Sequence, residues 1–182
     1  FRFKKLLFST DLLKNNLKNK NNYYFNYVLK DLKINKSKIK KKYDIAFYLR
    51  KHKNKNFDLQ VKLAKKLAKK YKIIIFGEKL LYKNIKNTGF ISRQKLLVNL
   101  KKTKFCFLSP ENLYSLFAID SICSGANIFF HKYSYYRSKN ITGIIYLNYN
   151  NFNSLIKNIR KRFENHNSHK IKIYPINYKF ED

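Results

Sequence analysis

The chain has 182 residues, 45% of them apolar, which is enough for one domain with a buried core and excludes a disordered polymer. Its 41 Lys and Arg against ten Asp and Glu give a formal charge of +31, a balance that first suggests nucleic acid or an anionic surface. Only six of the 41 are Arg, and the chain is also rich in Asn, Ile, Tyr and Phe; drift in base composition explains that whole set, so the charge argues weakly for a nucleic-acid partner.

Residues 1–41 differ from the rest. A short apolar start, Phe3 to Phe8, runs into Ser9-Thr10-Asp11, which suits the cap of a helix carrying Leu12, Leu13 and Leu17. Lys and Asn then dominate up to Lys40-Lys41-Lys42. The segment reads as the end of a preceding N-terminal domain and a linker. A first residue of Phe1 instead of Met fits a fragment or a processed product, with a further domain expected upstream.

From residue 42 to residue 182 a second unit is expected. Asp44 to Leu49 is a short apolar run suited to a strand buried on both faces. Asp58 to Tyr71 puts Leu59, Leu63, Leu67, Ala64, Ala68 and Tyr71 on one helical stripe, with five lysines mostly facing water. Lys72 to Phe76 is a second buried strand closed by Gly77, and Asn84 to Phe90 a weaker one. Ser92 caps a helix with Leu96, Leu97 and Leu100; Phe105 to Leu108 and Asn127 to Phe130 are further strands; Ile144 to Leu147 and Phe152 to Phe163 repeat strand and helix. Strands alternating with helices predict an α/β fold, Rossmann-like, with a mainly parallel sheet and helices on both faces. Ligands of such sheets bind beyond the carboxyl ends of the strands.

The stretch SPENLYSLFAIDSICSG, residues 109–125, lies at one such end and holds Glu111 and Asp120, two of the ten carboxylates. Ser115 is placed to cap a helix from Leu116 to Ser124, with Gly125 ending it at C′. The amides around Ser115, Leu116 and Phe117 would then seat a phosphate, and Asp120 one turn on would accept hydrogen bonds from a ribose diol. Glu111 and Asn112 would reach sugar hydroxyls from the preceding loop. Spacing alone equally allows Ser109 and Pro110 to start an earlier helix, with Glu111 favouring its dipole and Asp120 solvated.

Read together, the segments from Asp44 to His131 resemble the C-terminal, nucleotide-sugar-binding domain of GT-B glycosyltransferases of the retaining, glycogen-synthase-like kind (glycosyl transferases group 1). That family carries a glutamate, seven residues, a second glutamate and a glycine five positions on. Gly125 lies five residues after Asp120, so Asp120 takes the second acidic place. The first acid is Glu111 with eight intervening residues, whereas strict spacing selects Asn112, and the sugar-contacting residue stays open between the two. Asp in place of Glu also shortens the reach to the ribose.

In the same family the first strand of this domain ends in an arginine with a lysine about five residues on, and Arg50 and Lys55 have that spacing. The resemblance implies that they clamp the donor diphosphate, which gains charge as it leaves. It also implies that Asn87 to Ser92, before the next helix, flanks the nucleotide base. The activity expected from the resemblance is transfer of a sugar from a nucleotide-diphosphate sugar to a glycan or lipid-linked acceptor, as in polysaccharide biosynthesis. No cofactor is expected beyond the donor, the acceptor-binding half belongs to the missing N-terminal domain, and the location is cytoplasmic, with peripheral contact at the inner membrane face allowed. Two alternatives remain: a fucosyltransferase-like GT-B enzyme, which usually has a lysine where Ser121 stands, and a basic nucleic-acid-binding module.

Other residues carry less. Cys106 and Cys123 have no CxxC or Cys/His ligand spacing and read as buried, reduced thiols. His52 lies in the proposed phosphate loop but also in a lysine run, while His131, His166 and His169 lack metal-ligand partners, so no metal is expected. No apolar run reaches the roughly 18 residues that span a bilayer.

Overall fold

A computed structural model describes residues 6–8, 22–24, 39–52, 55–110, 115–132 and 144–165. Two short strands, β1 (Leu6–Phe8) and β2 (Asn22–Tyr24), form a parallel pair. The helix expected after Ser9 lies outside the described residues. The main sheet is built from β3 (Tyr43–Leu49), β4 (Ile73–Gly77), β5 (Ile85–Gly89), β6 (Thr103–Phe107), β7 (Asn127–His131) and β8 (Ile144–Leu147). Helices α1 (Phe57–Leu67), α2 (Arg93–Lys101), α3 (Leu116–Cys123) and α4 (Phe152–Glu164) complete it.

All six strands run parallel, in the order β5-β4-β3-β6-β7-β8. Period-two alternation sorts the side chains between the faces. Ile45, Phe47, Leu49, Ile73, Ile75, Phe105, Phe107 and Phe129 point to the layer holding Leu63 and Leu67 of α1 and Leu155, Ile156 and Ile159 of α4. Ala46, Ile74, Phe76, Cys106, Ile128 and Phe130 point the other way, toward Leu96 and Leu100 of α2 and Ala118 and Ile122 of α3. A sheet covered on both faces explains why its strands are continuous apolar runs. Each fully buried Phe or Ile there contributes roughly 1.5–3 kcal/mol. At the centre Phe105 stacks on Phe129 at 4.8 Å and meets the edge of Phe163 at 4.6 Å, which locks α4 onto the sheet.

Helix α1 ends earlier than its stripe predicts. Ala68 closes it with its N–H on Ala64 O, and the chain turns back so that Tyr71, although outside the helix, stays buried and stacks on Phe163 at 4.3 Å. The start of α1 is also unusual: Asn56 is left-handed, at φ 50° and ψ 49°, a conformation Asn tolerates better than most residues.

The order of strands fixes where a ligand can enter. Chain connections leave β3 through α1 to one side of the sheet and β6 through α3 to the other, yet β3 and β6 are hydrogen-bonded neighbours, with Phe47 paired to Phe107. Their carboxyl ends therefore flank a topological switch point, where the two outgoing loops diverge and leave a crevice.

Candidate functional site

One wall of the crevice is the loop from β3 to α1. Arg50, directly after the last residue of β3, is exposed, and Lys55 is half-buried. The N–H of Lys55 donates to His52 O at 2.9 Å, and its own carbonyl accepts from Gln60 Nε2 at 2.6 Å. Gln60 is a fully buried polar residue at the start of α1, and its Oε1 has no protein partner. The loop is thus shaped from beneath by a polar side chain on the buried stripe of α1, in line with Leu63, Ala64 and Leu67.

The other wall is the loop from β6 to α3. Leu108 N donates to Phe129 O, and Tyr149 Oη lies 3.1 Å from Leu108 O and 2.9 Å from Phe129 O, so the base of this loop is pinned to the sheet. Glu111 and Asn112, the two candidates for the sugar contact, lie outside the described residues. Ser115 caps α3, its Oγ accepting from Ala118 N at 3.2 Å. Leu116 is 62% exposed, while Phe117 packs down on Tyr48 and Phe76 and seats the helix start on the sheet. The far end closes as expected, with Gly125 at φ 70°, its N–H on Ile122 O and the N–H of Ala126 on Ser121 O, a Schellman motif. This helix therefore begins at Leu116 with Ser115 as its cap, while residues 111–114, where an earlier helix after Ser109 and Pro110 would run, lie outside the described residues.

Asp120 is not solvated: its side chain is 6% exposed. Arg93, the first residue of α2, reaches across to it with Nε 3.2 Å from Oδ1 and 3.1 Å from Oδ2, and with Nη2 2.7 Å from Oδ1. The pairing raises the already high pKa of the guanidinium, chiefly through the hydrogen bond to the carboxylate, so Arg93 keeps its charge at every working pH. Sequence reasoning missed Arg93. The available signal was composition, since Arg93 is one of six arginines and directly follows a predicted cap.

Arg50, Lys55, Ser115, Leu116, Asp120 and Arg93 come from loops and helix starts at the carboxyl ends of β3, β6 and β5, all on one edge of the sheet. The segment expected near a base ends that edge: Phe90, just past β5, is 69% exposed. A groove of about 310 Å³ runs along α2, lined by Thr88, Ile91 and Val98 among others, and a second of about 340 Å³ lies beside α4; neither includes a residue of the two crevice loops. No group of three or more His, Cys, Asp or Glu suited to a metal occurs among the described residues. Nor is any described helix long and apolar enough to cross a membrane. Among the described residues, exposed lysines lie on both faces of the sheet, among them Lys62, Lys65 and Lys66 on α1 and Lys157 and Lys161 on α4 on one side and Lys95 on α2 on the other.

No protein-family model matches the sequence, and no curated protein matches it. Solved structures do match. A TarM variant from S. aureus in complex with fondaparinux, alpha-GlcNAc-glycerol and UDP aligns at 19% identity and a TM-score of 0.61 over 86% of this chain and 36% of its own. An alpha-glucosyltransferase in complex with UDP and DNA aligns at 14% identity and a TM-score of 0.60, over 86% of this chain and 53% of its own. The isolated C-terminal domain of a glycosyl transferase group 1 family protein, LpcC from Francisella tularensis, aligns at 16% identity and a TM-score of 0.52 over 71% of this chain and 80% of its own. The chain thus spans about a third to a half of the two longer proteins and most of the isolated domain. Its six-stranded parallel sheet with helices on both faces has the fold of the C-terminal, Rossmann-like domain of GT-B glycosyltransferases.

Proposed function

We propose that this chain is the donor-binding half of a glycosyltransferase, which moves a sugar from a nucleotide-diphosphate sugar to a glycan or lipid-linked acceptor. The observation that carries the reading is topological: the Arg50–Lys55 loop and the Ser115-capped start of α3 flank the one switch point of the sheet, between β3 and β6. Two cations and a helix N-terminus facing one crevice suit a diphosphate. Complexes with UDP among the structural matches make uridine diphosphate the first ligand to try.

In this reading Arg50 and Lys55 hold the leaving diphosphate. As the bond from the sugar C1 to the diphosphate oxygen breaks, negative charge grows on the leaving group, and fixed cations stabilise it without reorganising. The amides at Ser115 and Leu116 take a phosphate oxygen. Asp120, a turn further in, belongs to the ribose side, and Glu111 or Asn112 to the donor sugar. The facing domain supplies the acceptor, and the product is a glycan of the polysaccharide class made on the cytoplasmic side, where exposed lysines can meet an anionic membrane surface.

Titration calorimetry of the chain with UDP, GDP and ADP tests this. At least one diphosphate binds, and Arg50→Ala weakens it by roughly 1.5–3 kcal/mol, the scale of a hydrogen bond to a charged group. No heat with any of the three at millimolar concentration, or full affinity in Arg50→Ala, overturns the reading.

A further inference from the structure

The two helices that share one face of the sheet both end on a pair of cations, Lys65 and Lys66 in the last turn of α1 and Lys161 and Arg162 in the last turn of α4. Cations there complement the helix dipole, and for α1 that accounts for the pair. The α4 pair has different surroundings. Lys161 and Arg162 line the groove of about 340 Å³ together with Asn158 and Asn165 of the same helix and Tyr146 and Leu147 of β8, an edge strand of the sheet. Positions 158, 161, 162 and 165 fall at i, i+3, i+4 and i+7, so one face of α4 carries two cations with a carboxamide a turn before and a turn after. Asn158 is steadied by a bond from its Nδ2 to Ser154 Oγ at 3.3 Å. Five of the six lining residues bear polar groups, and none is a carboxylate.

Drift in base composition enriches Lys and Asn but not Arg, yet two of the six arginines, Arg160 and Arg162, stand on this one helix. The only carboxylate of α4, Glu164, lies 4.0 Å from the ammonium of Lys70 in the turn after α1. Neither Lys161 nor Arg162 has an ion pair among the described residues. Such a donor set selects a tetrahedral oxyanion: the guanidinium fork takes two oxygens, the ammonium another, and the carboxamides can serve a neighbouring hydroxyl. The volume is at the lower end of small-molecule sites, about 300–1,000 Å³, which leaves room for part of the alcohol that the phosphate esterifies.

We propose that the groove between β8 and α4 is a second anion site of this chain, which binds the phosphate of a phosphorylated alcohol, with Lys161 and Arg162 as its binding residues. A soluble phosphate ester and the headgroup of an anionic phospholipid present the same chemistry to it. The groove shares no residue with the crevice loops, and β8 is two strands from β6, so the inference stands without the donor-site reading.

The test has two arms, both at about 0.15 M salt, where charges more than about 8 Å apart are screened. One titrates the chain with glycerol 3-phosphate by calorimetry; the other sediments it with phosphatidylcholine vesicles, with and without phosphatidylglycerol. Each arm compares the wild type with Lys161→Gln/Arg162→Gln, with Lys65→Gln/Lys66→Gln, which removes the same charge from the end of α1, and with Arg50→Ala, which alters the crevice. The substituted side chains are exposed, so the variants fold, and a melt verifies it. Loss of the α4 pair weakens binding about tenfold or more, the scale of one hydrogen bond to a charged group, while the other two variants change it less than twofold. That result with glycerol 3-phosphate identifies a soluble ester as the ligand, and the same result with phosphatidylglycerol vesicles alone identifies a lipid headgroup. Equal weakening by the α1 and α4 pairs makes binding a matter of net charge and overturns the proposal. It is also overturned by a loss confined to Arg50→Ala, which places the phosphate in the crevice, by binding that the α4 pair does not affect, or by no binding in either arm.

Discussion

Gln60 Nε2 lies 2.6 Å from the carbonyl oxygen of Lys55, so a residue at the buried start of α1 sets the shape of the loop above it. The same side chain keeps an Oε1 with no protein partner. One good hydrogen bond, worth about 0.5–1.5 kcal/mol, is offset by one orphaned acceptor that costs about 1–3 kcal/mol. Gln60→Leu, close in volume, should therefore leave the melting temperature nearly unchanged and yet weaken diphosphate binding by about 1 kcal/mol, because Lys55 loses its tether. Calorimetry and a thermal melt on the same sample separate the two effects. A large drop in melting temperature with intact affinity would make Gln60 a core residue only.

Tyr149 holds the opposite wall. Its fully buried hydroxyl shares its one proton between two carbonyl oxygens, Leu108 O and Phe129 O, and the ring stacks on Phe107 at 4.6 Å and on His131 at 4.8 Å. Burial raises the phenol well above its usual pKa, so it remains a donor across the working range. In Tyr149→Phe, Phe129 O still accepts from Leu108 N, but the hydroxyl bond to Leu108 O is lost. The expected cost is about 1–2 kcal/mol, or a fall of roughly 2–8 °C in melting temperature. Hydrogen exchange should quicken at Leu108, whose N–H donates to Phe129 O beside the lost hydroxyl, while β3 and β4 keep their protection.

These supports show which features a sequence carries and which it hides. The sheet was legible because buried parallel strands write themselves as runs such as Ile73 to Phe76, and the caps were legible because Ser92 and Ser115 each precede an apolar helix. The strand order was not legible, and only the pairing of β3 with β6 in the structure puts the switch point beside Arg50 and Ser115. The Arg93–Asp120 pair was hidden because its members are 27 residues apart on two helices, and no local period links them. Gln60 was hidden for a different reason. Gln60 stands three, four and seven positions before Leu63, Ala64 and Leu67, on the buried face, but its polar type reads as solvent-facing; Leu59, one position off that row, is only half-buried. The end of α1 was overrun because Tyr71 continues the apolar stripe although the chain has already turned. Glu111 and Asn112 lie outside the described residues, so the choice between them stays a matter of spacing.

Cys106 gives the fold a pH dependence of its own. Burial is the main cause that pushes its thiol up to about 12 from a reference near 9, with smaller opposing effects from Ser121 and Lys41. The folded state therefore holds this proton more tightly than the unfolded chain. Its contribution to stability is complete below about pH 9 and is lost as the pH climbs toward 12. Melting curves should fall more steeply between pH 9 and 11 in the wild type than in Cys106→Ala, which lacks the group. Equal slopes would mean that the thiol is not shielded as its position on β6 requires. Cys123, raised to about 11 chiefly by burial, should likewise alkylate slowly at neutral pH.

Two glycines with similar backbone angles separate steric from conformational need. Gly77 ends β4 at φ 83°, and a Cβ built on it would collide with the carbonyl oxygen of Leu49, the residue just before Arg50. Glu78 N donates to that same oxygen at 2.9 Å, so the ends of β3 and β4 are drawn together at the edge where the diphosphate is proposed to bind. Gly125 has φ 70° but nothing within 4 Å of its added Cβ. Gly125→Ala should therefore cost only the backbone strain, about 1 kcal/mol, and leave ligand affinity unchanged. Gly77→Ala adds a collision with backbone that cannot rotate away, for a total of about 2–4 kcal/mol, and it must move either Leu49 or the end of β4. Either movement shifts Arg50, so the same substitution should weaken diphosphate binding several-fold at a temperature where the variant is still folded. If Gly77→Ala loses stability while Arg50 remains fully effective, the carboxyl end of β3 is not positioned by β4, and contacts within the loop itself, such as Gln60 Nε2 to Lys55 O and Lys55 N–H to His52 O, must hold it.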